Sequence, residues 1–171
     1  MLTTDFYLRG LEACDFDFLK SIENNPQLRD CTDAMGPYTD AELKAHITTH
    51  PRSTGNSQHR FVLSDLQHTP LGFVDLYCIC KRKKEAKVGI VIDHQYHRKG
   101  YGSQALQLLE AIAFNQLNIK SLQAEVRVNN RPSVGLFLKA GYCQSATYCR
   151  WNIRDVVLQE YHSFYKTNDH V

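Results

Sequence analysis

The stretch from Val88 to Leu117 limits the fold more than any other part of the chain. A continuous apolar run, Val88-Gly89-Ile90-Val91-Ile92, leads through a basic turn, His97-Arg98-Lys99-Gly100-Tyr101-Gly102, into a long amphipathic segment. From Ser103 to Leu117 the residues Ala105, Leu106, Leu109, Ile112, Ala113 and Leu117 fall on one helical face. An apolar strand and a one-sided helix must bury against each other, so this unit predicts a helix packed on a sheet. Two glycines let the backbone of the intervening turn approach an anion closely. The first N–H groups of a helix have no partner within it, so this turn can hold a phosphate, with Arg98 and Lys99 adding positive charge. A pyrophosphate is the natural guest.

The flanking sequence fills out the sheet. Phe6 to Arg9 reads as a short strand. Phe16, Leu19 and Ile22 recur at three-residue steps, and Asp40 is expected to cap a second helix through Leu43 and Ile47. Between these helices the segment 24–38 is rich in Asn, Asp, Pro and Gly and reads as a loop carrying Asp30 and Asp33. After a turn-rich stretch, 51–58, the period changes. Phe61 to Leu63, Leu71 to Cys80 and Ala86 to Ile92 predict an antiparallel meander whose last turn is the basic tip Lys81-Arg82-Lys83-Lys84.

Beyond the long helix, Leu122, Ala124, Val126 and Val128 alternate with Gln123, Glu125 and Arg127, as in a strand with one buried face. Asn130 as N-cap, Pro132 near the first helical position and Gly141 as a stop predict a helix from Arg131 to Ala140. Two further strands, 142–151 and 156–165, complete a single domain over residues 1–171. The fold class is therefore α/β in the α+β sense: a mixed, mostly antiparallel central sheet flanked by helices.

Composition excludes several classes. With 43% hydrophobic and 22% charged residues in 171, the chain is neither disordered nor fibrous. No apolar run reaches the ~20 residues that cross a bilayer, and no signal-peptide stretch follows Met1, so a cytoplasmic protein without membrane contact is expected. A net charge of +2 gives no reason to expect nucleic acid. The six cysteines form no C-x-x-C pair and read as reduced, mostly packed thiols. His94 and His97 lack further ligands, so no metal is expected. The C-terminal aromatics Tyr161, Phe164 and Tyr165 close either the core or a contact between two copies.

Gly100-x-Gly102-x-x-Ala105 also matches the dinucleotide pattern G-x-G-x-x-G/A, with Glu125 at a suitable distance for a ribose, so a nicotinamide enzyme must be weighed. Two features oppose it. The strand does not run directly into the first glycine, because Asp93 to Lys99 intervenes, and an antiparallel meander precedes it where a parallel βαβ array is required.

Residues His97 to Gly102 resemble the acetyl-CoA motif [QR]-x-x-G-x-[GA] of the GCN5-related N-acetyltransferases (GNAT), with His97 in place of the usual Gln or Arg. A second motif agrees: Asn130-x-x-Ser133-x-x-Leu136-Phe137-x-Lys139-x-Gly141-Tyr142 is similar to the family's N-x-x-A/S-x-x-L-Y-x-K-x-G-F. The likeness spans about the whole chain and is strongest to the branch of ribosomal-protein N-terminal and spermidine or diamine acetyltransferases.

That resemblance implies a splayed sheet and acetyl transfer from acetyl-CoA to a primary amine, whether a small amine, a polyamine or a protein N-terminus. It implies that Ile90, Val91 and Ile92 offer backbone groups to the pantetheine, with Gly89 at a bulge, and that the N–H groups from Arg98 to Ser103, including those of Lys99, Gly100, Tyr101 and Gly102, take the pyrophosphate. It implies that Asn130 holds the pantetheine arm and that Phe137 packs near the thioester. Amines near pKa 10 need a proton acceptor, and Asp75 is the candidate base or else a structural carboxylate; Glu125 is a weaker candidate. Phe137 departs from the pattern, because many relatives have there a Tyr able to protonate the leaving thiolate. A non-catalytic acyl-CoA-binding domain therefore stays open as an alternative. Asp30 and Asp33 suit a cationic acceptor, whereas Cys78, Lys87 and the basic tip stand where polyamine relatives tend to carry acids or would repel a polycation.

Overall fold

The computed structural model describes residues 5–29, 37–49, 58–152 and 157–168. Its strands are β1 (Phe6–Gly10), β2 (His59–Asp65), β3 (Pro70–Cys80), β4 (Glu85–Ile92), β5 (Ser121–Arg127), β6 (Cys143–Asn152) and β7 (Val157–Thr167). The helices are α1 (Phe16–Glu23), α2 (Pro26–Arg29), α3 (Asp40–Thr49), α4 (Tyr101–Ala111) and α5 (Arg131–Lys139). All seven strands form one sheet in the order β1-β2-β3-β4-β5-β7-β6. Only β4 and β5 run parallel, joined through α4, which excludes the doubly wound parallel array a nicotinamide enzyme needs.

Alternation along the strands sorts side chains onto two faces. On one face Val74, Leu76, Ala86, Val88, Leu122, Ala124 and Val126 pack with Ala105, Leu106 and Leu109 of α4 and Phe137 of α5. On the other, Val62 and Phe73 pack with Leu19 and Ile22 of α1 and with Leu43 and Ile47 of α3. Tyr161 and Phe164 are buried whereas Tyr165 is 41% exposed, so two of the three C-terminal aromatics close the core.

Several expectations need correction. Thr39, not Asp40, caps α3: its N–H and hydroxyl donate to the Glu42 carboxylate at 2.7 Å, and its Oγ1 accepts the Glu42 N–H at 3.3 Å, a Thr-x-x-Glu capping box. The loop expected over 24–38 contains α2; Asp30 and Asp33 lie outside the described residues. The long helix begins at Tyr101, because Gly100 at φ 87° turns the chain into it, and its last stretch, Ile112–Gln116, widens into a π turn. Cys14, Cys78, Cys143 and Cys149 are exposed thiols instead of packed ones. Cys78 sits at φ 51° where the β3–β4 register shifts, and Cys143 and Cys149 lie on the edge strand β6. Among the described residues no helix is long and apolar enough to cross a membrane.

Candidate active site

The sheet opens between β4 and β5. Parallel pairing is confined to Glu85–Lys87 against Ser121–Gln123; beyond it β4 continues for five residues and β5 for four without pairing to one another. The backbone groups facing this gap follow from the pleat. Asp93 donates its N–H to the Leu71 carbonyl at 3.0 Å, so Val91, two residues back, also bonds toward β3, and Ile90 and Ile92 point the opposite way. A Cβ built at Gly72 would collide with the Val91 carbonyl oxygen, which confirms that direction. The Ile92 carbonyl is occupied by His97 Nε2 at 2.8 Å. The groups open to the gap are the carbonyl of Val88, the N–H and carbonyl of Ile90 and the N–H of Ile92. The expectation for Val91 fails because its polar backbone is spent on β3. Gly89 marks no bulge, since its register with Asp75 is regular.

At the end of β4, Asp93 folds the chain into a 3₁₀ turn, accepting from the Gln95 backbone N–H at 3.3 Å and the Gln95 Nε2 at 2.8 Å. Arg98 at φ 61° and Gly100 at φ 87° then reverse it into α4. Gly100 has open space on its Cβ side but a backbone geometry that only glycine adopts cheaply. Among the described residues the N–H groups of Arg98, Lys99, Gly100, Tyr101 and Gly102 have no acceptor, whereas Ser103 N–H is bonded to the Gly100 carbonyl at 3.1 Å. The anion-binding run is therefore one residue shorter than expected. Lys99 lies over the Tyr96 ring at 5.5 Å, and Tyr101 packs edge-on against Phe6 and Tyr96, which fixes the turn on the sheet. Five consecutive unpaired donors at a helix N-terminus with adjacent basic side chains fit a pyrophosphate. His94, 67% exposed, is paired with Asp93 at 2.9 Å.

From α5, Asn130 Oδ1 accepts the Ser133 N–H at 3.2 Å, so this residue is the helix cap, with its amide NH2 left for another partner. Phe137 is 2% exposed and packs between Tyr142 (centroids 5.0 Å apart) and Phe164 (5.9 Å).

The opposite face of the gap carries charge. Arg60, the register partner of Asp75, grips both its oxygens at 2.8 Å and reaches Glu23 at 2.5 Å. Burial opposes the Arg60 charge, but the two carboxylates more than offset it and raise its pKa further. Both Asp75 oxygens are engaged, which makes it a poor free base. On β5, Glu125 pairs with Lys87 at 2.5 Å and Arg150 at 3.3 Å. Burial and the charge of Glu125 push the nearby Tyr148 phenol up to about 12, and burial likewise raises Tyr77. Arg60, Glu23, Tyr77, Tyr148 and Arg150 were not singled out from sequence. Alternation puts Tyr77 on the face of Asp75, but the others become neighbours only through cross-strand register or the packing of α1.

The profile of the acetyltransferase (GNAT) domain family matches residues 5–142. The chain belongs to this family. It is an acetyl-CoA-dependent N-acetyltransferase of GNAT fold. The spermidine N(1)-acetyltransferase of Vibrio cholerae is 24% identical over 143 residues, 84% of this chain and 82% of the relative. A crystal structure of V. cholerae spermidine N-acetyltransferase in complex with CoA and spermine superposes with a TM-score of 0.87 at 23% identity, covering 95% of each chain. A dodecameric form of that enzyme gives 0.80 at 23% identity, covering 95% and 94%.

Proposed function

We propose that this chain acetylates a primary amine of a polyamine, with acetyl-CoA as donor. One observation carries the reading: the β4–β5 gap ends at five consecutive N–H groups without acceptors, so a strand-like arm and a pyrophosphate fit one continuous groove. The polyamine class is supported by the spermidine enzymes that the chain resembles and by two carboxylates, Asp75 and Glu125, that border the gap.

In this reading the donor supplies an activated acyl group, and the residues of the chain bind, orient and polarise. The N–H groups from Arg98 to Gly102 hold the pyrophosphate, the open groups of Ile90 and Ile92 pair with the pantetheine arm, and the Asn130 amide contacts the same arm. A backbone N–H at the gap stabilises negative charge on the acyl oxygen as nitrogen adds to the carbonyl. The C–N bond forms, the C–S bond breaks, and an ammonium plus acetyl-CoA give an amide, CoA thiol and one released proton. Asp75, gripped at both oxygens by Arg60, lines the side of the gap where the amine enters. Phe137 cannot donate a proton, but a thiol of pKa about 8.5 leaves tolerably without a dedicated acid. Spermidine and spermine should release free CoA faster than a peptide N-terminus does in an amine panel. Failure of every amine, with acetyl-CoA still stabilising the fold, overturns the proposal.

A further inference from the structure

The last paired residues of β4 and β5 are Lys87 and Gln123, so Gly89 and Glu125 stand two residues further along the two diverging strands. Two-residue steps keep a side chain on one face. Lys87, Gly89 and Glu125 therefore share the face opposite α4, at the point where the gap begins. Gly89 adds no side chain there: a Cβ would lie 3.6 Å from both the Asp75 Cβ and the Tyr77 Cε1, so Asp75 and Tyr77 flank this half-buried point directly.

Two acids border this opening, and they are held differently. Asp75 is locked by a two-pronged guanidinium that is 13% exposed and also tied to Glu23. Glu125 is held by one amine, Lys87 Nζ, on a flexible 29%-exposed side chain, and at 3.3 Å by Arg150, 43% exposed. The Lys87 group is a primary ammonium, the same group that the acceptor presents.

We infer that Glu125 is the positioning residue for the acceptor amine, and that Lys87 occupies the place the substrate ammonium takes. The incoming amine passes over Gly89, displaces Lys87 from Glu125 and is held beside the Tyr77 and Tyr148 hydroxyls at the mouth of the gap. This rests on acetyl transfer at the β4–β5 gap. It assigns acceptor recognition to β5, whereas Lys87 on β4 competes with the substrate.

Steady-state kinetics with spermidine test it. Glu125→Gln should raise KM for the amine at least tenfold, with kcat and the KM for acetyl-CoA changed less than about threefold, and Glu125→Asp should recover part of the loss. Lys87→Met should lower the amine KM several-fold by removing the internal competitor. Thermal stabilisation by acetyl-CoA shows that each variant is folded. Wild-type turnover with an unchanged amine KM in Glu125→Gln, or a raised one in Lys87→Met, overturns the inference alone. Absence of wild-type turnover with any amine overturns the acetyl-transfer reading and this inference with it.

Discussion

Asp75 shows how far residue type alone carries an argument. A carboxylate in mid-strand beside a reaction site invites the role of base, yet its partner is fixed by register, and Arg60 stands opposite it on β2. Removing the charge with Asp75→Asn should cost about 2–3 kcal/mol of stability, as for the loss of a charged hydrogen bond, measurable by denaturant unfolding. The shape of the pH–rate profile should survive; loss of its acid limb would restore Asp75 as the base. Asp15 is another paired acid. It is 2% exposed, and although burial raises its pKa, the two-pronged bond from Arg9 and the Glu12 N–H bring it below the ordinary value. A depressed folded pKa gives stability that is present above the unfolded value of about 3.9 and lost as pH falls through the folded one. Asp15→Asn should therefore weaken the protein at pH 7 and flatten its loss of stability below about pH 4 in acid titrations followed by circular dichroism.

Among the elements, α5 and the turn before α4 were the most legible, because each is written in local chemistry. Asn130, Pro132 and Gly141 punctuate α5 by capping, ring geometry and positive φ, and its expected end lies one residue from the observed one. The glycine turn was legible as a close-approach turn, and the structure adds that Gly100 sits in the left-handed region. Gly100→Ala should cost about 1–2 kcal/mol from that backbone alone and weaken acetyl-CoA binding, as read by calorimetric titration of the variant. What stayed hidden depended on pairing between strands. The insertion of β7 between β5 and β6, the direction of the Val91 backbone and the charged cluster around Glu125 all follow from register, which no single segment encodes. The exposed thiols were misjudged for the same reason. Cys143 and Cys149 lie on the edge strand β6, and Cys78 sits at positive φ where the β3–β4 register shifts.

At the scale of the molecule, the sheet consists of two antiparallel panels, β1-β2-β3-β4 and β5-β7-β6, stitched by three residue pairs. Acetyl-CoA at a hundred times its Kd should add about 2.7 kcal/mol and raise Tm by roughly 5–10 °C. A ligand along the seam also has a finer signature. The Ile90 and Ile92 amides face the gap without a strand partner, whereas Val91 between them is bonded to β3. Hydrogen–deuterium exchange should thus be fast, slow, fast along these three residues in the free protein and uniformly slow with donor bound. The bound arm would behave as a borrowed strand, legible one amide at a time.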